Sequence, residues 1–167
     1  MKLAVVIPIF NEFENLPSLI DAVEQLGNSA IDTSIIVCDD GSNDGSRIWL
    51  DKQQEKGRLV VLGDGNNYGP GVAFENGFQY VLQKLPDFDF LVTMEGDGTA
   101  DLSSLQSMFD SINNADVVLA SVYLEGGGFS NTNWSRLLIS KFANGLTRLC
   151  LNLPFKTLTS FYRIYRV

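Results

Sequence analysis

The sequence predicts an α/β fold in which helices cover both faces of a mostly parallel sheet. Three observations carry this. Short apolar runs alternate along the chain with stretches whose apolar residues recur at helical spacing. The runs are apolar throughout rather than at every second position, which suits strands buried on both faces. Most of them close in turn-forming Asn, Asp or Gly. At 167 residues, 45% of them hydrophobic, the chain reads as one domain with a substantial core.

The elements follow in order. Leu3–Ile9 is the first strand, closed by Pro8 and Asn11. A helix over Glu14–Leu26 is marked by Leu16, Leu19, Ile20, Val23 and Leu26, with Gly27 as its C-terminal cap. Ser34–Cys38 is a strand that runs into Asp39-Asp40-Gly41-Ser42. Asn43 or Asp44 then caps a helix reaching about Gln54. Leu59–Leu62 is a third strand, and Gly63–Gly69 is a loop before a helix over Gly71–Leu85. Phe88–Met94 is a fourth strand that stops at Glu95-Gly96-Asp97-Gly98. A helix over Leu102–Ile112 and a strand over Asp116–Ser121 come next. Gly126–Gly128 reads as a mobile loop, Asn133–Leu151 as a helix, and Thr157–Tyr165 as a short extended segment.

Composition narrows the chemistry. There is no histidine, so the commonest general base and the commonest transition-metal ligand are missing. Any metal must be held by oxygen, which favours Mg²⁺ or Mn²⁺ over Zn²⁺. Cys38 and Cys150 both lie in apolar stretches, as expected of reduced core thiols rather than a disulfide. Met1-Lys2 leads straight into the first strand, so the opening does not read as a signal peptide. No apolar run approaches the roughly 20 residues of a membrane span. Charge is uneven: residues 1–133 hold all 20 acids and six of the 12 bases, and residues 134–167 hold the other six bases and no acid. That basic stretch points to an anionic partner, or it packs on the acidic body. The glycines from Gly63 to Gly77 do not match a dinucleotide fingerprint, and no phosphate-binding G-x-x-x-x-G-K-[ST] loop is present.

Three acidic turns remain: Asn11-Glu12, Asp39-Asp40 and Glu95-Gly96-Asp97. If the strands are parallel, all three leave the same edge of the sheet, the edge at which open α/β sheets bind ligands. Carboxylates so clustered repel unless a cation or hydrogen-bond donors offset them. Glu95 and Asp97, with Gly96 and Gly98 admitting a ligand to the backbone, suit a hard divalent cation carrying a phosphate. The competing account of each turn is helix capping, favoured for Asp44.

Four stretches then appear in a telling order. They are Val6-Ile-Pro8-Ile-Phe10-Asn11-Glu12, Asp39-Asp40-Gly-Ser42-Asn-Asp44, Gly69-Pro-Gly71-Val-Ala73 with Gly77, and Met94-Glu95-Gly-Asp97. Together they resemble the family 2 glycosyltransferases of GT-A fold. Trp134-Ser-Arg136, Ser140, Asn144 and Arg148, followed by Thr159-Ser160 and Arg163, resemble the branch that acts on dolichyl or polyprenyl phosphate. The resemblance implies that Pro8, Phe10, Asn11 and Glu12, with Asp39, hold the base and ribose of a nucleotide sugar. Asp40 and Gly71, in the same motifs, join these candidates. Glu95 and Asp97 would hold Mg²⁺ or Mn²⁺ on the donor diphosphate. Arg136, Ser140 and Arg163 would face the acceptor phosphate, with Asp97 and Arg136 the catalytic candidates. The implied reaction is inverting transfer of a hexose from a GDP-mannose or UDP-glucose type donor to a lipid phosphate, at the cytoplasmic face of the membrane and with no nucleic-acid partner. Residues 1–167 would be a single catalytic domain, shorter at its C-terminus than the family pattern. The chain departs from that pattern at Glu95 and Val122, where aspartate and arginine are usual, at Thr99-Ala100-Asp101 in place of Gln-His-Pro, and at Thr157 in place of aspartate. A saccharide acceptor is the alternative, with Asp101 or Glu125 as base, and a non-catalytic nucleotide-sugar-binding fragment is another.

Overall fold

The computed structural model of the chain describes residues 1–27, 31–121 and 160–167, together with 142, 145, 147 and 150. Six strands form one sheet: β1 (Lys2–Ile9), β2 (Asp32–Asp39), β3 (Val60–Leu62), β4 (Phe90–Thr93), β5 (Val117–Leu119) and β6 (Arg163–Arg166). The α-helices bounded within the described residues are α1 (Leu16–Glu24), α2 (Ser46–Glu55), α3 (Pro70–Lys84) and α4 (Leu105–Ile112). The strand order is β3-β2-β1-β4-β6-β5. β1 pairs in parallel with β2 and β4, and β2 in parallel with β3. β6 runs antiparallel to both its neighbours, β4 and β5. The mostly parallel sheet is therefore as expected, but the extended segment near Tyr165 is an interior strand rather than an appendage.

The two faces of β1 sort the core. Leu3, Val5, Ile7 and Ile9 pack with Leu16, Ile20 and Val23 of α1, Leu50 of α2 and Met108 and Ile112 of α4. Ala4 and Val6 face the other way and pack with Ala73, Phe74 and Val81 of α3. Successive side chains of a strand point to opposite faces, so a run that is apolar throughout must be covered twice. Cys38 belongs to the α3 face, and burial pushes its thiol up to about 12 despite a hydrogen bond with the Gly77 backbone, which makes it an inert core group. Cys150, expected in the core, is exposed.

Element ends differ from expectation for local reasons. α1 starts at Leu16 rather than Glu14, because Pro17 sits at the first helical positions, where its lacking N–H costs nothing. It ends at Glu24, capped through Gln25 rather than Gly27. α2 is capped by Gly45 in the left-handed region, not by Asn43 or Asp44. Asp44 still serves that turn, since its Oδ1 accepts the Ser46 N–H at 2.9 Å. The helix expected over Leu102–Ile112 opens as a 3-10 turn, Leu102–Ser104, with the Asp101 side chain accepting the Ser103 N–H. The loop expected at Gly126–Gly128 and most of the helix expected over Asn133–Leu151 lie outside the described residues. Among the described residues no helix is long and apolar enough to cross a membrane.

Candidate functional site

Parallel pairing of β1 with β2 and β4 decides where the acidic turns go. Ile9 lies beside Asp39, and Val6 beside Thr93, so the segments leaving β1, β2 and β4 emerge side by side at one edge. Phe10–Glu12, Asp39–Ser42 and Glu95–Asp97, far apart in sequence, thus meet at the carboxyl edge of three adjacent strands.

The first two turns interlock. Asn11 takes a positive φ of 58°, tolerable for asparagine. Its N–H donates to Ser42 Oγ at 3.0 Å, and its Oδ1 accepts the Asn43 N–H at 2.8 Å. Glu12 Oε2 accepts from the Asn15 side chain at 3.0 Å. Pro8 is partly buried, and the Phe10 ring is 46% exposed at the rim. Asp39 and Asp40 are both buried. Asp39 Oδ1 accepts the Ser42 N–H at 3.0 Å, closing its own turn. Both oxygens of Asp40 accept backbone N–H groups, Tyr68 at 2.7 Å and Gly69 at 2.9 Å, and so tie β2 to the segment that opens α3.

A cleft of about 380 Å³ lies between the end of β2 and α3, lined by residues that include Asp39, Asp40, Gly63, Tyr68, Val72 and Asn76. Gly71 sits exposed in the first turn of α3, with open space where a side chain would project. Gly63 has φ +122°, and a Cβ there would lie 2.1 Å from the Asp39 carbonyl oxygen, so only glycine fits.

At the end of β4 the Glu95 carboxyl is held above its ordinary range. Burial is the largest cause, followed by the charge of Asp97, a hydrogen bond with it, and the charge of Glu12. Asp97 Oδ1 accepts from the Thr99 N–H at 2.9 Å and the Thr99 hydroxyl at 2.7 Å, which fixes its orientation. Gly96 does not open the backbone to a ligand as expected. A Cβ there would meet Ile9 Cγ2 at 2.6 Å, so that glycine serves the packing of β1 against the turn. Among the described residues no three carboxylates or thiols assemble around one point. Glu95 and Asp97 nonetheless fit a hard cation that keeps waters and takes its other ligands from a diphosphate, the usual manner of Mg²⁺. Burial first, and then the charges of Asp97 and Glu12, work against the Glu95 charge, and a cation held there would offset them.

Arg163 arrives at the same edge. It opens β6 and lies between Thr93 and Leu119, and its Nε donates to the Ser160 carbonyl at 2.8 Å. Thr93 Oγ1 donates to the Phe161 carbonyl at 2.6 Å, fastening that segment to β4. Arg136 and Ser140 lie outside the described residues. Sequence reasoning missed Arg47 and Thr99. The signal for Arg47 was an i, i+4 partner, Asp51, on a predicted helix. That for Thr99 was a hydroxyl residue two positions after an aspartate.

Comparison with known proteins identifies the family. The family model described as Glycosyl transferase family 2 matches residues 4–167. The chain is 33% identical over 165 residues to a polyprenol monophosphomannose synthase of Mycolicibacterium smegmatis, covering 97% of this chain and 60% of that protein. It is 31% identical over 167 residues to an undecaprenyl-phosphate mannosyltransferase of Micrococcus luteus, covering 99% of this chain and 67% of that protein. The chain thus spans about two thirds or less of the length of these relatives. Among solved structures, glucosyl-3-phosphoglycerate synthase from Mycobacterium tuberculosis with Mg²⁺ and uridine diphosphate has the same fold, with TM-score 0.65 at 19% identity over 99% of this chain and 56% of that one. A mannosyltransferase from Pyrobaculum calidifontis in complex with GDP-Man and Mn²⁺ gives TM-score 0.57 at 14% identity over 71% of this chain and 35% of that one. With its acidic edge assembled on a mostly parallel α/β sheet and the family model matching nearly its whole length, the chain belongs to glycosyl transferase family 2.

Proposed function

We propose that this chain is the donor-binding and catalytic part of an inverting transferase that moves a hexose from a nucleoside diphosphate sugar to a polyprenyl phosphate. The observation that carries the reading is that the turns bearing Glu12, Asp39, Glu95 and Asp97 leave one edge, the carboxyl ends of β1, β2 and β4, with Glu12 and Asp97 near enough to act on Glu95. Mannose is the favoured sugar, because the names of both relatives specify mannose transfer to a polyprenyl phosphate.

In this reading the cleft lined by Asp39 and Asp40, with Gly71 nearby on α3, receives part of the nucleoside, and Pro8, Phe10, Asn11 and Glu12, at the end of β1 and outside that lining, would complete its site. Glu95 and Asp97 would hold Mg²⁺ or Mn²⁺, which when bound supplies positive charge against the charge that grows on the departing diphosphate. Thr99 keeps Asp97 turned to that task. The nucleophile is an oxygen of the lipid phosphate, which is ionised at neutral pH. It attacks the anomeric carbon as the bond to the diphosphate oxygen breaks, and no proton need be removed. A chain without histidine is therefore adequate to the reaction. Arg163, with Arg136 and Ser140, would neutralise and orient the acceptor phosphate. The basic stretch over 134–167 supports contact with the anionic cytoplasmic face of a membrane.

The test is a thermal-shift panel of nucleotide sugars with and without Mn²⁺, read beside transfer to a short polyprenyl phosphate. Wild type should be stabilised by one donor in the presence of Mn²⁺, since a ligand bound only by the folded state raises its apparent stability. Asp97→Ala should lose the metal-dependent part of that shift and about a thousandfold of transfer. A wild-type chain indifferent to every donor would overturn the reading.

A further inference from the structure

Among the described residues, Arg47 is the cation paired with Asp39, at 3.7 Å from Nη1 to Asp39 Oδ2. That oxygen is buried and has no hydrogen-bond partner, while Oδ1 is taken by the Ser42 N–H. The same Nη1 donates to the Gly63 carbonyl at 3.1 Å, and Nε donates to Asp51 Oδ1 at 2.9 Å. The guanidinium is thus spread between the helix that carries it, the end of β2 and the loop after β3. Asp39 and Gly63 both line the cleft beside α3, and Arg47 is not among the described residues of its wall. A lysine could not serve these partners together, because its charge sits at one point rather than on a planar fork.

We propose that Arg47 is a positioning residue for nucleoside recognition. It holds the Asp39 carboxylate and the Gly63 carbonyl as paired acceptors on one wall of the cleft, and it does not reach the donor's phosphates. The buried Asp39 oxygen then waits for a donor group of the ligand, an N–H of the base or a hydroxyl of the ribose. An acceptor that is desolvated and, beyond its longer ion pair with Arg47, has no hydrogen bond accepts one at little further cost. This rests on the donor-binding reading above and adds to it a division of labour: the arginine nearest Asp39 serves the nucleoside and not the diphosphate.

The experiment titrates the chain with uridine, guanosine, their diphosphates and inorganic pyrophosphate, in the presence of Mg²⁺ and followed by NMR and calorimetry. Wild type is compared with Arg47→Gln, Arg47→Lys, Asp39→Asn and the Asp39→Asn/Arg47→Gln pair. Arg58→Gln is the control, since Arg58 ties Gln53 of α2 to Glu24 and Asp21 of α1 but lies away from the cleft. Arg47→Gln should weaken the preferred nucleoside and its diphosphate by the same factor, about tenfold, and leave pyrophosphate unchanged. Arg47→Lys, which keeps the charge and so guards against loss of fold, should fall between. In the Asp39→Asn background, Arg47→Gln should cost less than it does in wild type, because the carboxylate has already gone and only the Gly63 carbonyl is left to lose its donor. A loss confined to the diphosphates would overturn the proposal by making Arg47 a phosphate ligand. Undiminished binding, or a loss matched by Arg58→Gln, would overturn it by making Arg47 a general brace. A wild type that binds no nucleoside and no diphosphate would instead remove the donor-binding reading itself.

Discussion

Asp44 takes two backbone N–H groups on its two carboxylate oxygens, Ser46 at 2.9 Å and Phe13 at 2.9 Å, and so joins the start of α2 to the segment after β1. Burial is the largest single influence and raises its carboxyl, but the Ser46 and Phe13 backbone N–H groups, with the neighbouring Ser46 hydroxyl, together outweigh it and hold it below the ordinary value of 3.8. The sign follows from that direction. The charged form is favoured by folding, so this contribution is full above 3.8 and is lost as pH falls through the lower folded value. Asp44→Asn should therefore lower the unfolding free energy at pH 7 by about 1 kcal/mol, as loss of a capping group does, and the gap to wild type should close in strong acid. Urea titrations at several pH values check it. Residue types were the most legible part of the site. Asp39, Glu95 and Asp97 stand out because acids that end buried runs have no reason to be there for packing. Arg47 and Thr99 did not stand out, because each works through a partner that only the fold brings within reach. Asp40 shows the converse. Its type marks it for ligand binding, yet the folded chain already uses both its oxygens on Tyr68 and Gly69.

Elements were legible where one period runs unbroken. α3 differs by one residue at each end from the stretch its pattern marks, and β1 carries its apolar run nearly end to end. Boundaries failed where a turn spent a residue that looked regular, as at Leu102–Ser104, where Asp101 satisfies the Ser103 N–H and tightens the first turn. The contact of α3 with the sheet rests on one small residue. A Cβ on Gly77 would lie 2.4 Å from Val6 Cγ1 and 3.0 Å from Cys38 Sγ, so the helix must lift or the strands must part. Gly77→Ala should thus destabilise the chain by about 1–3 kcal/mol despite the better helix propensity of alanine. Thermal and urea melts measure the loss. The cleft beside α3 moves with the helix, so under the proposed function donor affinity should fall in the same variant.

The whole molecule was legible in class and not in connection. Apolar runs announce a covered parallel sheet, but nothing in Arg163–Arg166 says that it enters the sheet backwards between β4 and β5. Pairing partners distant in sequence leave no periodic trace, and a strand that alternates Arg-Ile-Tyr-Arg resembles an exposed edge. Ile164 is nonetheless fully buried, Arg166 donates to the Ile112 carbonyl and stacks over Phe90, and Tyr165 meets Phe78 edge to face. A chain ended at residue 159 should therefore lose its single cooperative melt. Hydrogen exchange should show β5 and α4 opening first while β1 and β2 stay protected.

That inserted strand also orders events at the ribosome. β4 and β5 are made early, and residues 120–162 must all be synthesised before the piece that belongs between them exists. During that interval each offers a row of unpaired peptide groups, the kind of edge that recruits a neighbouring nascent chain or a chaperone. Slow decoding between residues 120 and 162 would prolong this exposure, so the yield of soluble protein should depend on codon choice there more than in the opening helices.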